Sequence, residues 1–193
     1  MSWRTTAVLL VILLALGGFI YYQNQQGTKM ETETAAVGTL PPPTPEQFNL
    51  VRATVENVHG LNVTRLADNT QSQFLRDELG IWTQTVPTAT LVLSQTMETR
   101  MTGLINMQTT RSFSGDDNPL STYGLDQPAY DITVAAGRDD GAIIRITLLI
   151  GNETPTGGSY YIQLQGDSRV HLVPTGPIDN MIDLIDNPPL SDQ

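Results

Sequence analysis

The chain has 193 residues, with 10 Lys and Arg against 20 Asp and Glu, two histidines and no cysteine. A net charge of −10 speaks against the basic face that displaces counterions from phosphates, so no nucleic-acid partner is expected. Without a thiol there is no disulfide, thiolate metal site or cysteine nucleophile, and stability must come from packing.

Taken in chain order, the first signal is Thr5–Gln26 (TTAVLLVILLALGGFIYYQNQQ), which carries no charge. Its apolar run from Ala7 to Tyr22 lacks proline and approaches the ~20 residues a helix needs to cross the hydrocarbon layer, predicting a single transmembrane helix over 5–26. Trp3 at one end and Tyr21 and Tyr22 at the other suit the headgroup region, and Arg4 holds residues 1–4 in the cytoplasm. The expected location is therefore the cell membrane, with the main domain extracytoplasmic. A cleaved signal peptide is the competing reading, since Ala15-Leu16-Gly17 offers small residues at a cleavage spacing. The apolar stretch continues past that point to Tyr22, which weighs against it.

Residues 27–47 are rich in Thr, Glu and Pro without apolar periodicity and read as a linker. Lys29, the only lysine, falls there, so the folded part offers no lysine as a Schiff-base nucleophile. Residues 48–186 suffice for one domain with a core, and 187–193 form a tail.

Within the domain, Val51, Ala53 and Val55 alternate with polar residues, as do Leu61 and Val63, predicting a hairpin that turns at His59-Gly60. A further strand at Ile81–Thr85 stops at Pro87. Thr88 is then placed to cap a helix with Leu93, Met97, Met101 and Leu104 on one face. Gln108–Asn118 is polar and unassigned. Four strands follow at Tyr130–Ala136, Ala142–Ile150, Tyr160–Gln165 and Arg169–Val173, with turns at Arg138–Gly141, Gly157-Gly158 and Gly166-Asp167. Thr175-Gly176-Pro177 opens a helix with Ile178, Met181, Ile182 and Ile185 on one face, ended by Pro188. The fold class expected is α+β: a transmembrane helix followed by one domain of two antiparallel β-meander plus helix units.

No catalytic residue, cofactor or metal site stands out. His59 and His171 read as surface or edge residues, and Asp116-Asp117 and Asp139-Asp140 lack the oxygen-ligand spacing of a calcium loop. Gly151–Gly158 lacks the lysine and following helix of a phosphate loop, and no Gly-x-Ser-x-Gly elbow occurs. Asp179, Asp183 and Asp186, at helical spacings, read as a solvated face.

The most specific signal is Tyr123-Gly124-Leu125-Asp126-Gln127-Pro128, followed by Ile150-Gly151, Gly157-Gly158-Ser159-Tyr160-Tyr161 and Val170-His171-Leu172-Val173. This succession resembles the membrane-anchored bacterial family catalogued as domain of unknown function 4340. Members of that family show a Tyr-Gly-Leu-x-x-Pro turn, an Ile-Gly ending the second strand, a Tyr-rich third strand and a Val-x-Leu-Val fourth. The likeness is strongest over Ser121–Leu184 and weaker over Val51–Thr85, where Trp82 and Pro87 match, and Ala89-Thr90 stands where many members carry Ala-Asp. The resemblance implies no catalytic residues. It implies, by association, an accessory role beside ABC-type export systems of the cell envelope.

The physical reading of the motif is structural: Gly124 takes a backbone conformation closed to other residues, Pro128 stiffens strand entry and Asp126 serves the turn's amides. The alternative is a polar and aromatic ligand surface on which Tyr123, Asp126, Tyr160 and Tyr161 converge; the candidate structural or interaction motif as a whole is Tyr123, Gly124, Leu125, Asp126, Pro128, Gly151, Tyr160 and Tyr161. The functional expectation is a non-enzymatic accessory subunit of an envelope transport complex, partnered by the membrane and by ABC permease or auxiliary subunits. A tethered binding domain for an envelope glycan or peptide is the alternative.

Overall fold

The computed structural model describes residues 47–191 apart from 117 and 139. The predicted transmembrane helix at 5–26 and nearly all of the linker lie outside the described residues, and no helix among those described is long and apolar enough to cross a membrane. Nine strands form one antiparallel sheet: β1 (Val58–Arg65), β2 (Thr70–Arg76), β3 (Trp82–Val86), β4 (Thr90–Leu91), β5 (Arg111–Ser114), β6 (Tyr130–Gly137), β7 (Ile143–Glu153), β8 (Ser159–Leu164) and β9 (Arg169–Pro174). Their spatial order is β4-β3-β2-β1-β6-β7-β8-β9-β5. Two helices, α1 (Ser94–Ile105) and α2 (Thr175–Asp186), pack together on one face, with α2 across β1 and β2.

The expected α+β plan of two meander-plus-helix units is corrected to a mainly β fold. The two meanders do not form separate units, because β1 and β6 pair from Val58↔Ala136 to Arg65↔Tyr130 and fuse them into one sheet. Strands β2 and β5, in segments without an expected element, and β4, which takes the place of the first turn of the expected helix, add further β structure.

The predicted hairpin at 51–65 is also replaced. Val55–Asn57 is a single 3-10 turn, and β1 runs straight through His59-Gly60 with a bulge between Val58 and Gly60. Gly60 serves close strand approach rather than a turn: a Cβ there would lie 3.3 Å from Leu75 Cδ2 and 3.4 Å from Phe74 O. The true partner of β1 is β2, reached through the turn at 66–69, where Asn69 has φ +56°.

The first helix begins at Ser94, six residues beyond the predicted cap, because residues 90–92 turn back to pair with β3 and the Ser94 hydroxyl accepts the Trp82 N–H at 3.0 Å. Met97, Met101 and Leu104 are buried as a one-faced helix requires, while Leu93 precedes the helix and is exposed. The four later strands and α2 agree with the predicted spans within a few residues.

The core lies between the helices and one sheet face. Leu61, Val63, Phe74, Trp82, Ile132, Val134, Leu148, Ile150, Ile162 and Val173 meet Met97, Met101, Leu104, Ile178, Met181 and Leu184 in a single apolar cluster. The aspartates of α2 lie on its solvated side, and each also takes a partner. Asp179 Oδ1 accepts the Tyr160 hydroxyl at 2.9 Å, Asp183 Oδ2 accepts from Arg100 of α1 at 3.0 Å, and Asp186 pairs with Arg65 of β1. Each carboxylate ties α2 to a different element. Arg100 and the Asn187 side chain hold Asp183 below the usual carboxylate range, Asn187 contributing most.

Candidate functional site

The motif segment covers the second face of the sheet at one end only. A 3-10 turn at Leu120–Tyr123 leads to Gly124, whose φ of +69° lies in the left-handed region. Backbone bonds close the turn: Gly124 N donates to Ser121 O at 3.2 Å and Leu125 N to Leu120 O at 3.0 Å. A Cβ on Gly124 would come within 2.5 Å of Asn152 Oδ1, and one on Gly151 within 2.2 Å of Tyr123 O. The two glycines therefore let the turn lie directly on β7, and neither position admits a side chain without backbone displacement.

That contact buries Tyr123, Leu125 and Val170 in a small second cluster with Phe113, Leu120, Leu149 and Tyr161 around it. The rings of Tyr123 and Tyr161 lie 5.0 Å apart, and Phe113 stands 5.3 Å from Tyr123 and 6.5 Å from Tyr161, within the range of favourable aromatic contacts. The Tyr123 hydroxyl accepts a hydrogen bond from Asn118 Nδ2 at 3.0 Å.

Of the residues singled out from sequence, the structure brings together Tyr123, Gly124, Leu125, Gly151 and Tyr161. Tyr160 faces the opposite side of β8, packs against the main core and donates its hydroxyl to Asp179. Burial and then Asp179 push the Tyr160 phenol up to about 12. Asp126 is exposed and Pro128 half-buried at the entry to β6. The four-residue convergence of Tyr123, Asp126, Tyr160 and Tyr161 does not form.

His171 is the buried titratable group that sequence reading placed at the surface. It lies on the helix side of β9, opposite Ser112 of β5, with Ser112 Oγ 2.8 Å from Nδ1. Its Nε2 is buried without a hydrogen-bond partner, and Asp167 Oδ2 stands 3.9 Å away. The Phe48 ring meets the imidazole edge-on at 5.5 Å. Desolvation, reinforced by the Arg169 charge and opposed by Asp167, lowers the pKa of the imidazole.

Ser112, His171 and Asp167 superficially follow the order of a hydrolase triad. The geometry differs from one, since 3.9 Å is too long for a hydrogen bond and Asp167 is already taken by Arg169, whose Nη2 and Nε approach at 2.9 and 3.2 Å. The Ser112 pairing could have been found only through the position of β5, which carries one apolar residue and no alternation.

An open cleft of about 740 Å3 lies elsewhere, between residues 52–57 and the β6–β7 connection, lined by Arg52, Thr54, Asn57, Arg138, Asp140 and neighbours. It holds none of the motif residues, and its Asp140 carboxylate accepts the Ala142 N–H at 3.0 Å. His59 is exposed beside Gly137, away from His171. Among the described residues no group of three His, Asp or Glu side chains could hold a metal ion.

These features define a mainly β domain: one antiparallel sheet, helices on one face, and a glycine-seated turn on part of the other. The family described as Domain of unknown function (DUF4340) matches residues 82–188, more than half of the chain, and the chain belongs to that family. The match begins at Trp82, so it covers β3, α1 and everything to the end of α2. No curated protein and no solved structure matches the chain.

Proposed function

We propose that this chain is a non-enzymatic interaction protein of the bacterial envelope, anchored by residues 5–26 with its domain extracytoplasmic, and serving as an accessory subunit of an ABC-type transport complex. One observation carries the interaction reading. The second sheet face is covered by the Leu120–Leu125 turn over β5, β9, β8 and the Leu149–Asn152 end of β7, whereas the outward side chains of β1, β2, β3 and β6 are mostly half-buried or exposed. An antiparallel sheet can leave one face to water, but the exposed apolar side chains Leu75, Ile81, Leu91 and Leu93 at the β2–β3–β4 end fit a protein completed by a partner. The uncharged span at 5–26 and the acidic domain support placement on a membrane without attraction to anionic headgroups.

The test is affinity purification of the full chain from native membranes, with mass spectrometry of what accompanies it, beside a Gly17→Leu variant that blocks close helix approach. Permease or ATPase subunits recovered with the native chain and lost with the variant are the expected result. Their absence from both removes the transport-complex reading.

A specific feature favours the second reading, a tethered binding domain for a glycan or peptide. Asn62 sits between Gln73 and Thr133, and Thr133 opposite Thr147, making an uncharged row across four strands of the open face. Thr85 Oγ1 extends it to Gln73 Oε1 at 3.2 Å, and the Thr133 and Thr147 hydroxyls lie 2.9 Å apart. Such hydroxyl and amide groups match the hydrogen-bonding edges of a neutral polymer. A flat thermal-shift profile across cell-wall fragments and peptides would remove this reading.

A further inference from the structure

Of the eight large apolar side chains left exposed among the described residues, six belong to β2, β3, β4 and the segments beside them. Four of the six form one tile. Leu75 pairs with Thr83, which pairs with Leu91, and the Val92 N–H to Trp82 O bond at 3.3 Å continues the register so that Ile81 falls opposite Leu93. Trp82, Gln84 and Val92 are buried on the helix side, so the alternating residues Ile81, Leu91 and Leu93 face the open side. Leu75, Ile81, Leu91 and Leu93 are 48, 43, 54 and 50 % exposed. With strands about 4.8 Å apart, Ile81 adjoins Leu93 across the strands and Leu91 follows it along β4, while Leu75 stands beyond Thr83, so the four surround Thr83 as one patch and are not scattered surface leucines.

The same end of the sheet is acidic. On the tile's own border Asp77 and Glu78 are exposed in the β2–β3 turn, next in the chain to Leu75 and Ile81, while Arg76, opposite Trp82 on the helix side, is engaged by Glu98 Oε1 of α1 and by Glu56 O, both at 3.2 Å. Anionic lipid is therefore a poor occupant, whereas apolar side chains flanked by lysine or arginine would satisfy both the tile and its charge.

We infer that this tile docks an amphipathic segment of a partner protein, with leucine-like side chains on one face and basic residues on its flank. The inference rests on the interaction reading above and names the surface and the partner chemistry. It is independent of whether that partner belongs to a transport complex.

The experiment uses the full chain in a neutral detergent and, as probe, a 14-residue Leu/Lys amphipathic peptide. A Leu/Glu peptide of the same pattern and a scrambled Leu/Lys peptide are the controls. Fluorescence anisotropy should show binding of the first alone, and hydrogen exchange should slow at Leu75, Ile81–Thr83 and Leu91–Leu93. Leu91→Gln combined with Leu93→Gln should weaken binding at least tenfold, and Glu78→Lys about threefold. These side chains are half exposed, so an unchanged melting curve confirms that the variants fold. Equal affinity for the Leu/Glu peptide, or protection elsewhere on the chain, overturns the inference. A footprint on the tile without transport subunits in the affinity purification upholds the surface and removes only the transport reading. Transport subunits recovered equally with the Leu91→Gln, Leu93→Gln variant overturn the surface and leave that reading intact.

Discussion

The two faces of the sheet are built differently. The helix-covered face is sealed by long apolar side chains from strands and helices, many of them wholly buried. The other face is sealed at one end by a turn that fits only because Gly124 and Gly151 lack side chains, and is open over the rest. The first relies on apolar area, which tolerates small rearrangements; the second relies on close backbone approach, which does not. Substitutions should therefore fail for different reasons on the two faces, and in a definite order.

The largest loss is expected at Trp82, wholly buried between β3 and the helices. Trp82→Ala removes a large apolar surface and leaves a cavity, costing about 4 kcal/mol, a large part of a domain's net stability. Chemical denaturation should show a cooperative shift of the whole transition. A loss under 1 kcal/mol would mean that the helix-covered face is not the principal core.

Gly151→Ala comes next. One methyl 2.2 Å from Tyr123 O forces the turn off β7, at about 3 kcal/mol. Its distinguishing sign is local: near-ultraviolet dichroism from the Tyr123, Tyr161 and Phe113 rings should collapse while the helix signal persists. Loss of both signals together would make the two faces one cooperative unit.

The contrast also explains what was legible in the sequence. Strands β6 to β9 were readable as short runs rich in β-branched and aromatic residues bounded by glycine turns, and α2 from apolar residues at helical spacing. Strand β2 was not, because its inward residues are Ser72 and Phe74, and a buried serine hydrogen-bonded by Gln84 breaks the apolar alternation. Strand β4 has two residues and β5 one half-buried phenylalanine, too little for any period. The union of β1 with β6 joins segments some seventy residues apart and leaves no local trace, so two apparent units proved to be one sheet. At the candidate site, Gly124 and Gly151 were visible as turn residues, but their interlock depends on β7 passing beneath the turn. Strand alternation alone already separates Tyr160 from Tyr161, since adjacent residues of a strand point to opposite faces.

Acid should probe the seam where β5 meets β9. The unfolded imidazole of His171 titrates near 6.5, whereas the buried ring resists protonation through desolvation and the Arg169 charge. Above pH 6.5 the group is neutral in both states and its stability is fully present. As pH falls through 6.5 the unfolded chain takes up a proton that the folded chain refuses, so stability declines, by at most about 1.4 kcal/mol per pH unit for one such group. Asp167 and Asp183, both lowered, lose their contributions only in the carboxylate range further down, which separates the windows. Denaturation midpoints between pH 7 and 5 should fall for the native chain and stay level for His171→Gln. A fall of equal slope in the variant would assign the effect elsewhere.

The smallest effect should come from Tyr160→Phe, which tests whether the carboxylates of α2 are fasteners or ornaments of a wet surface. The change deletes one hydroxyl bonded to Asp179 and keeps the ring that packs against the core. A neutral donor to a carboxylate at a partly exposed site contributes about 1 kcal/mol, and Asp179 can turn to water when the hydroxyl is lost. Arg100→Met, which removes the bond to Asp183, should cost about as much, because both bonds hold the same helix to different elements. The double variant is the sharper measurement. If α2 is a rigid body clamped at several points, the two losses add, since Tyr160 and Arg100 share no partner; if α2 tilts when one clamp opens, the second loss is smaller than the first. Additivity would place the strength of the helix-covered face in its apolar core, with the polar clamps acting independently around it. A shortfall would make the aspartate row a single cooperative seam between α2, α1 and the sheet.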